Sequence, residues 1–326
     1  RLRGFLLQGD ILADNIKSFT GFREALKHKI IIFDGAMGTS LQKQNLSADN
    51  FGGEKTFGCN DYLVLTYPGA VEKVHRSFLD VGADVIETNT FRANRLTLGE
   101  YGLGDKTFNI NFAAAQLARK LADEYSQSTG QPRFVAGAMG PSGKLPSINE
   151  KELSNISFNE LSDLFYEQAA ALIDGGVDLL LIETSQDILE VKAAITGIRK
   201  ALIEKNKDLP IQAQITLDTT GKMLLGTDIG AALAILEGLP IDVIGLNCST
   251  GPEHMRASIE HMGENTQLPI SCIPNAGLPL NIDGEAVYPM APEPFAELLG
   301  EFVKNNNINI VGGCCGTTPD HIGLLV

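Results

Sequence analysis

Two adjacent cysteines, Cys314 and Cys315, stand in the run GGCCGTT at the end of an apolar stretch, and a third, Cys248, ends another apolar stretch in GLNCSTG. Neighbouring side chains on extended backbone point to opposite faces. The pair therefore cannot both face a core, and at least one thiol opens onto the space beyond the strand end. Three thiolates converging there would hold a zinc ion and leave its fourth position free, as in a catalytic rather than a closed structural site. Such a zinc is suited to activating another thiol. The plainer reading of any one cysteine is a small buried apolar residue. It fits Cys272, and also Cys59, which has no partner at a useful spacing. There is no short C-x-x-C pair, an iron–sulfur cluster calls for four cysteines in another spacing, and a disulfide between chain neighbours is strained.

The residues that must position these thiols fall into eight short runs rich in β-branched and apolar types, at 29–38, 83–91, 133–141, 177–184, 211–218, 241–249, 268–277 and 307–315. Near-continuous apolar runs suit strands covered on both faces. Between them lie stretches with helical spacing, such as 111–125, 161–176 and 190–202. Eight strands alternating with helices predict a (β/α)8 TIM barrel over residues 29–326. The competing architecture, an open doubly wound sheet, rarely needs eight strands in regular sequence, and no G-x-G-x-x-G loop is present. Residues 1–28 form a short N-terminal extension whose segment SFTGFREALKHK has helical spacing and is placed to plug the barrel bottom. Two longer inserts, 39–67 and 142–157, follow the first and third strands, on the face where barrel enzymes keep their active sites. The tail HIGLLV is short for an eighth helix, which suggests a longer polypeptide.

Seven of the eight strands end in polar residues: Asp34-Gly35, Glu87-Thr88-Asn89-Thr90, Glu183-Thr184, Asp218, Asn247-Cys248, Asn275 and Cys314-Cys315. One such aspartate can be a helix or turn cap. Carboxylates are costly to bury alone, and together on one barrel face they read as a ligand pocket. Gly312, Gly313 and Gly316 around the cysteine pair allow close backbone approach and positive φ, and Gly35 and Gly38 can expose amides to a ligand carboxylate.

Bulk composition narrows the class. With 326 residues, 44% apolar and 20% charged, the chain can bury a large core. A net charge of -14, from 26 basic and 40 acidic residues, argues against nucleic acid and against anionic membranes as partners. No run reaches transmembrane length, and the N-terminus lacks the pattern of a secretory signal. Five cysteines, two of them adjacent, are unlike a disulfide scaffold, so a reducing, cytoplasmic setting is expected.

The motifs FDGAMGT, GADVIETNTF, LLLIET, GLNCSTGP, PNAGLP and GGCCGTTPDHI, in this order from residue 29 to the end, resemble the homocysteine S-methyltransferase family. Within it they are most similar to the homocysteine-binding module of cobalamin-dependent methionine synthases. The resemblance implies zinc bound by Cys248, Cys314 and Cys315, with Asn275 supplying an oxygen to the metal when homocysteine is absent. It implies that Asp34 and Glu183 hold the substrate amino group. Backbone near Gly35 and the segment Glu87, Thr88, Asn89 and Thr90 would line the pocket and meet the α-carboxylate. Betaine-dependent relatives carry a metal-reaching tyrosine after the second strand; Arg92 stands there in this chain, which counts against betaine. The implied reaction is methyl transfer to the thiol of L-homocysteine, giving methionine. Methylcobalamin would be presented by a cobalamin module of a larger chain and recharged by a folate module. The alternatives are a stand-alone enzyme using S-methylmethionine, and, outside the family's chemistry, a redox-responsive zinc protein without catalysis.

Overall fold

The structure, a computed structural model, describes residues 21–148 and 150–326. In chain order the strands are β1 (Ile31–Ile32), β2 (Val85–Glu87), β3 (Phe134–Met139), β4 (Leu179–Ser185), β5 (Ile211–Ile215), β6 (Val243–Asn247), β7 (Ile270–Ile273), β8 (Leu280–Ile282), β9 (Glu285–Val287) and β10 (Ile308–Val311). Eight of them form one parallel sheet in the order β1-β10-β7-β6-β5-β4-β3-β2. A parallel bridge between Phe33 and Val85 brings its two ends together, supported by the Asp34 amide donating to the Val85 carbonyl at 2.9 Å. The expected (β/α)8 barrel is therefore the observed one. All eight expected runs hold a barrel strand, shorter than the apolar run that signalled it. The antiparallel hairpin β8–β9 lies between β7 and the last helix pair and was not foreseen.

The sequence explains the two-sided burial. On one side Ile31, Phe33, Val85, Phe134, Ala136, Leu179, Leu181, Val243 and Ile310 fill the barrel interior. On the other, residues such as Ile86, Val135, Leu180, Ile182, Ala213 and Leu246 pack against the helices. Strand β5 departs from an apolar interior. Ile211, Ala213 and Ile215 pack with the helices, and the alternate Gln212 and Gln214 both donate to Ser271 Oγ, at 3.1 and 2.8 Å. Each barrel strand is followed by a helix, from Pro68–Asp80 after β1 to the short Pro319–Gly323 after β10. Local signals set their ends: Ser157 and Glu160 form a reciprocal capping box, Asp187 and Asp228 cap with side-chain oxygens, and Gly130 and Gly176 close helices in the left-handed conformation.

At the N-terminal end of the barrel the helix Phe22–His28 packs Phe22 edge-on against Phe134 and joins the interior cluster. The earlier part of the expected extension, residues 1–20, lies outside the described residues. Four residues one step inside or before the even-numbered barrel strands repeat one contact here. Asp84 accepts from the Ile32 amide, Asp178 from Val135, Asp242 from Ile211, and Asn309 from Ile270, at 2.7 to 3.0 Å. Each side chain thereby ties the start of one strand to its neighbour.

Candidate active site

At the opposite end, the C-terminal face, a cavity of about 300 Å³ opens over the strand ends. Its lining includes Asp34, Gly35, Glu87, Thr88, Asn89, Thr90, Glu183, Cys248, Cys314 and Cys315, so ten of the eleven residues to which the resemblance gives a site role meet in one space. The eleventh, Asn275, is buried beside it. The Cys314 amide donates to the Pro274 carbonyl at 2.8 Å, and the Ala276 amide donates to the Cys315 carbonyl at 3.0 Å, so residues 274–276 are laced to the cysteine pair.

The three sulfurs lie within 4.8 Å of one another, with Cys315 Sγ 4.0 Å from both Cys248 Sγ and Cys314 Sγ. All five cysteines are free thiols, so the strained neighbour disulfide is not formed. Cys248 and the following Ser249 both take left-handed backbone, φ 59 and 62. Consecutive non-glycine residues in that region are costly, and here the bend turns the Cys248 thiol toward the other two. The negative charge of the cluster is shared unevenly: donation from Cys248 and then Cys314 pulls the Cys315 thiol down to about 3, while the same contact with Cys248 pushes Cys314 well up. Asn275 Oδ1, buried, has no hydrogen-bond partner among the described residues. An unsatisfied buried acceptor costs about 1–3 kcal/mol. Three sulfurs and one orphaned oxygen form a donor set that suits zinc.

Carboxyl groups ring the rest of the cavity. Asp34 Oδ2 accepts the Glu87 amide at 3.1 Å. Burial pushes the Asp34 carboxyl well up, and the Glu87 charge adds to the effect. Burial raises Glu87 to about 7 and Glu183 well above the usual carboxylate range, the latter helped by Glu87 and Cys315. Among the described residues none of these three groups forms an ion pair; Arg92 lines the same cavity but pairs with Glu100 at 2.7 Å. Asn247 positions Glu183: its Oδ1 accepts the Thr184 amide at 2.7 Å, and its Nδ2 donates to Thr184 Oγ1 at 2.8 Å and to Glu183 Oε2 at 3.4 Å. Thr184 is itself left-handed, φ 55, which completes the turn that presents Glu183.

Other expected residues have more structural duties. Thr88 and Thr90 line the cavity, but their hydroxyls bond each other at 2.6 Å and also β3, to the Ala138 amide and carbonyl. Asn89 donates to the Asn60 carbonyl at 2.7 Å and pins the first insert, which contributes Gly58, Cys59, Asn60 and Asp61 to the lining. Gly35 leaves no room for a side chain, since a Cβ would fall 2.7 Å from Phe78 and Thr317 atoms. Gly312 and Gly313 likewise serve close packing, against Phe33 and Thr317, and of the three glycines at the cysteine pair Gly316 takes positive φ, at 81.

Two expectations are corrected. Asp218 does not reach the cavity: β5 ends at Ile215, and the exposed Asp218 Oδ1 caps a turn by accepting from the Thr220 and Lys222 amides at 2.8 and 3.2 Å. The second insert, 142–157, contributes none of its described residues to the lining. It is fastened instead to the start of the helix Ile188–Glu204 after β4, Ser142 to Glu190 and Ser147 to the cap Asp187. Two residues near the site were missed. Asp61, raised to about 6 by burial, sits in the first insert, where an aspartate beside a turn sequence carried no distinguishing signal. Tyr288 follows the hairpin and packs over Gly316, the residue after the cysteine pair; it lies in a stretch assigned to no element.

Comparisons with known proteins agree with this geometry. The family model for homocysteine S-methyltransferase matches residues 31–326. Methionine synthases of Mycobacterium leprae and Mycobacterium tuberculosis are each 42% identical over 303 residues, covering 93% of this chain. The chain spans about a quarter of their length, 24% and 25%. The metallated form of the homocysteine methyltransferase MmuM from Escherichia coli superposes with a TM-score of 0.73 at 23% identity, over 92% of this chain and 96% of that one, and shares the fold. The chain belongs to the homocysteine S-methyltransferase family.

Proposed function

We propose that this chain binds L-homocysteine on a zinc ion held by Cys248, Cys314 and Cys315 and is the place where the substrate sulfur receives a methyl group, giving methionine. The observation that carries the reading is one cavity lined both by three sulfurs within 4.8 Å of one another and by buried carboxyl groups that form no ion pair among the described residues. The substrate has the complementary parts, a thiol at one end and an ammonium at the other.

Zinc supplies Lewis acidity, which makes a bound thiol a thiolate at neutral pH. Asn275 Oδ1 is the donor available to the metal when no substrate sulfur is present. Asp34 and Glu183 hold the substrate ammonium, with Glu87 beside them. The ammonium provides the countercharge that lets them ionise, and the proton they release goes to solvent. Asn247 keeps Glu183 aimed into the cavity. Backbone from Gly35 to Thr39, with Thr88 and Thr90, lines the side that meets the α-carboxylate. In the transfer itself, the sulfur lone pair forms the new bond to carbon while the donor leaves with the electron pair of the broken one.

The length of the relatives supports a module role. The chain corresponds to a quarter of each methionine synthase, so methylcobalamin is assigned to another part of a larger protein, with folate recharging it there, in the cytoplasm. The cobalt(II)-substituted protein tests the thiol site directly. Its sulfur-to-metal charge-transfer bands should intensify when L-homocysteine is added, as a fourth sulfur joins three. A spectrum indifferent to homocysteine would overturn the reading. Turnover with free methylcobalamin but not with S-methylmethionine separates the module from a stand-alone enzyme.

A further inference from the structure

The cavity is built for a cation, yet the substrate proposed for it is a zwitterion. Homocysteine brings an α-carboxylate along with its ammonium and its thiol. The described lining holds four acidic side chains, Asp34, Asp61, Glu87 and Glu183, and the three clustered cysteines, whose thiolates around a divalent ion would sum to a net negative charge. A carboxylate entering this space meets like charge on most sides, and an anion taken out of water without a positive partner is costly. Backbone amides from Gly35 to Thr39 can orient it, but they supply only partial charges.

One residue of the described lining carries a full positive charge at neutral pH, Arg92. Its backbone is held on both sides. The amide donates to Asp61 Oδ1 at 2.9 Å, and the carbonyl accepts the Thr97 hydroxyl. Asp61 and Thr97 line the cavity too, so the root of the side chain is fixed at the wall. The head is not fixed. Its Nη2 donates to Glu100 Oε2 at 2.7 Å, but the two side chains are 48% and 59% exposed. An ion pair so open to water contributes at most about 1 kcal/mol. Glu100 is not part of the lining, and among the described residues Arg92 pairs with none of the four acids that are. Those acids stay available to the substrate ammonium. A carboxylate held inside the cavity, where the dielectric is lower, is a stronger partner for the same guanidinium fork than Glu100 is in solvent.

We propose that Arg92 is the charged partner of the substrate α-carboxylate: its guanidinium leaves Glu100 for that carboxylate when homocysteine binds, and so selects α-amino acid thiols over simple aminothiols. This rests on the zinc-site reading above and adds to it the full positive charge that the backbone amides lack. With the thiol on the metal, the ammonium at Asp34 and Glu183, and the carboxylate on Arg92, three points of attachment fix the handedness of the α-carbon.

The test compares the zinc-loaded protein with its Arg92→Gln variant by calorimetric titration against two thiols. One is L-homocysteine; the other is 3-aminopropane-1-thiol, which is homocysteine without its α-carboxylate. The substitution removes a charge at an exposed position, so the fold should be unaltered, and thermal unfolding checks this. L-Homocysteine should bind the variant about tenfold more weakly, the share of one hydrogen bond between charged groups. 3-Aminopropane-1-thiol should bind the variant no less tightly than the unaltered protein. Arg92→Lys, which keeps the charge and loses the fork, should fall between the two for homocysteine. An unchanged homocysteine affinity in Arg92→Gln would overturn the proposal. So would an equal loss for both thiols, because Arg92 would then act on the cavity as a whole and not on the carboxylate. The cobalt response to 3-aminopropane-1-thiol, which needs the three sulfurs and not Arg92, tests the underlying site reading separately.

Discussion

The two ends of the barrel use their strand-end carboxylates in opposite ways. At the N-terminal end Asp84 is met by Lys29 Nζ at 2.5 Å and Arg133 Nη1 at 3.2 Å, Asp178 by Arg119, and Asp242 by Arg23. Each also accepts a neighbouring strand amide. At the C-terminal end Asp34 and Glu183 are buried and Glu87 half-buried, and among the described residues none of the three forms an ion pair. Desolvating a charge without a partner costs more than any fold can spare without a return. The lower carboxylates therefore belong to folding, and the upper ones leave a place for a positive charge that arrives from outside.

The largest expected effect comes from breaking the lower set. Asp84→Ala leaves Lys29, Arg133 and the Ile32 amide without their acceptor. Removing one partner of a buried pair costs about 3–5 kcal/mol. Urea unfolding should show a loss of this size, while zinc binding in the protein that remains folded is unaltered. If the loss is under about 1 kcal/mol, typical of an exposed pair, the lower set is not the structural one.

The upper set should show its unpaired state in pH dependence. Glu87 is raised from the usual range to about 7 in the folded protein by burial. The folded state thus holds a proton that the unfolded chain has lost. This contribution to stability is complete below about pH 4 and disappears as pH rises through about 7, at most about 3 kcal/mol for one group. Unfolding of the substrate-free protein should therefore become easier between about pH 5 and pH 8, and Glu87→Gln should flatten the curve. Saturating homocysteine should flatten it too, because its ammonium stabilises the ionised forms.

The contrast between the two ends was only half legible in the sequence. Carboxylates following apolar runs pointed to Asp34, Glu87 and Glu183, because burial cost makes a strand-end acid conspicuous. Asp84, Asp178 and Asp242 stand at the start of such runs, where an aspartate looks like ordinary loop chemistry; their role depends on Arg119 and Arg133 arriving from other parts of the chain. Eight strands could be counted because each is covered on both faces and so reads as an unbroken apolar run. Asp218 misled for the same reason: the apolar run 211–217 outlasts β5 by two residues, and the chain has already turned when it reaches the acid. Tyr288 was invisible because its place beside the cysteine pair comes from the chain folding back over Gly316, a contact 28 positions away in sequence that no local pattern encodes.

The finest test separates the two carboxylate sets by a single oxygen. Glu183→Gln preserves size and can still meet Asn247, while it removes the capacity to take up charge. Because burial holds Glu183 well above the usual range and so favours its neutral form in the empty pocket, a neutral amide should change stability little. Homocysteine affinity should fall by about 2 kcal/mol, roughly thirtyfold, the share of one hydrogen bond to a charged group. Calorimetric titration measures the affinity and thermal unfolding the stability. Asp218→Asn, on the same face but spent on its own turn, should leave the affinity where it was. A drop in stability without a drop in affinity at Glu183 would make it a structural acid like Asp84, and the distinction between the two ends of the barrel would fail at the residue where it is most sharply drawn.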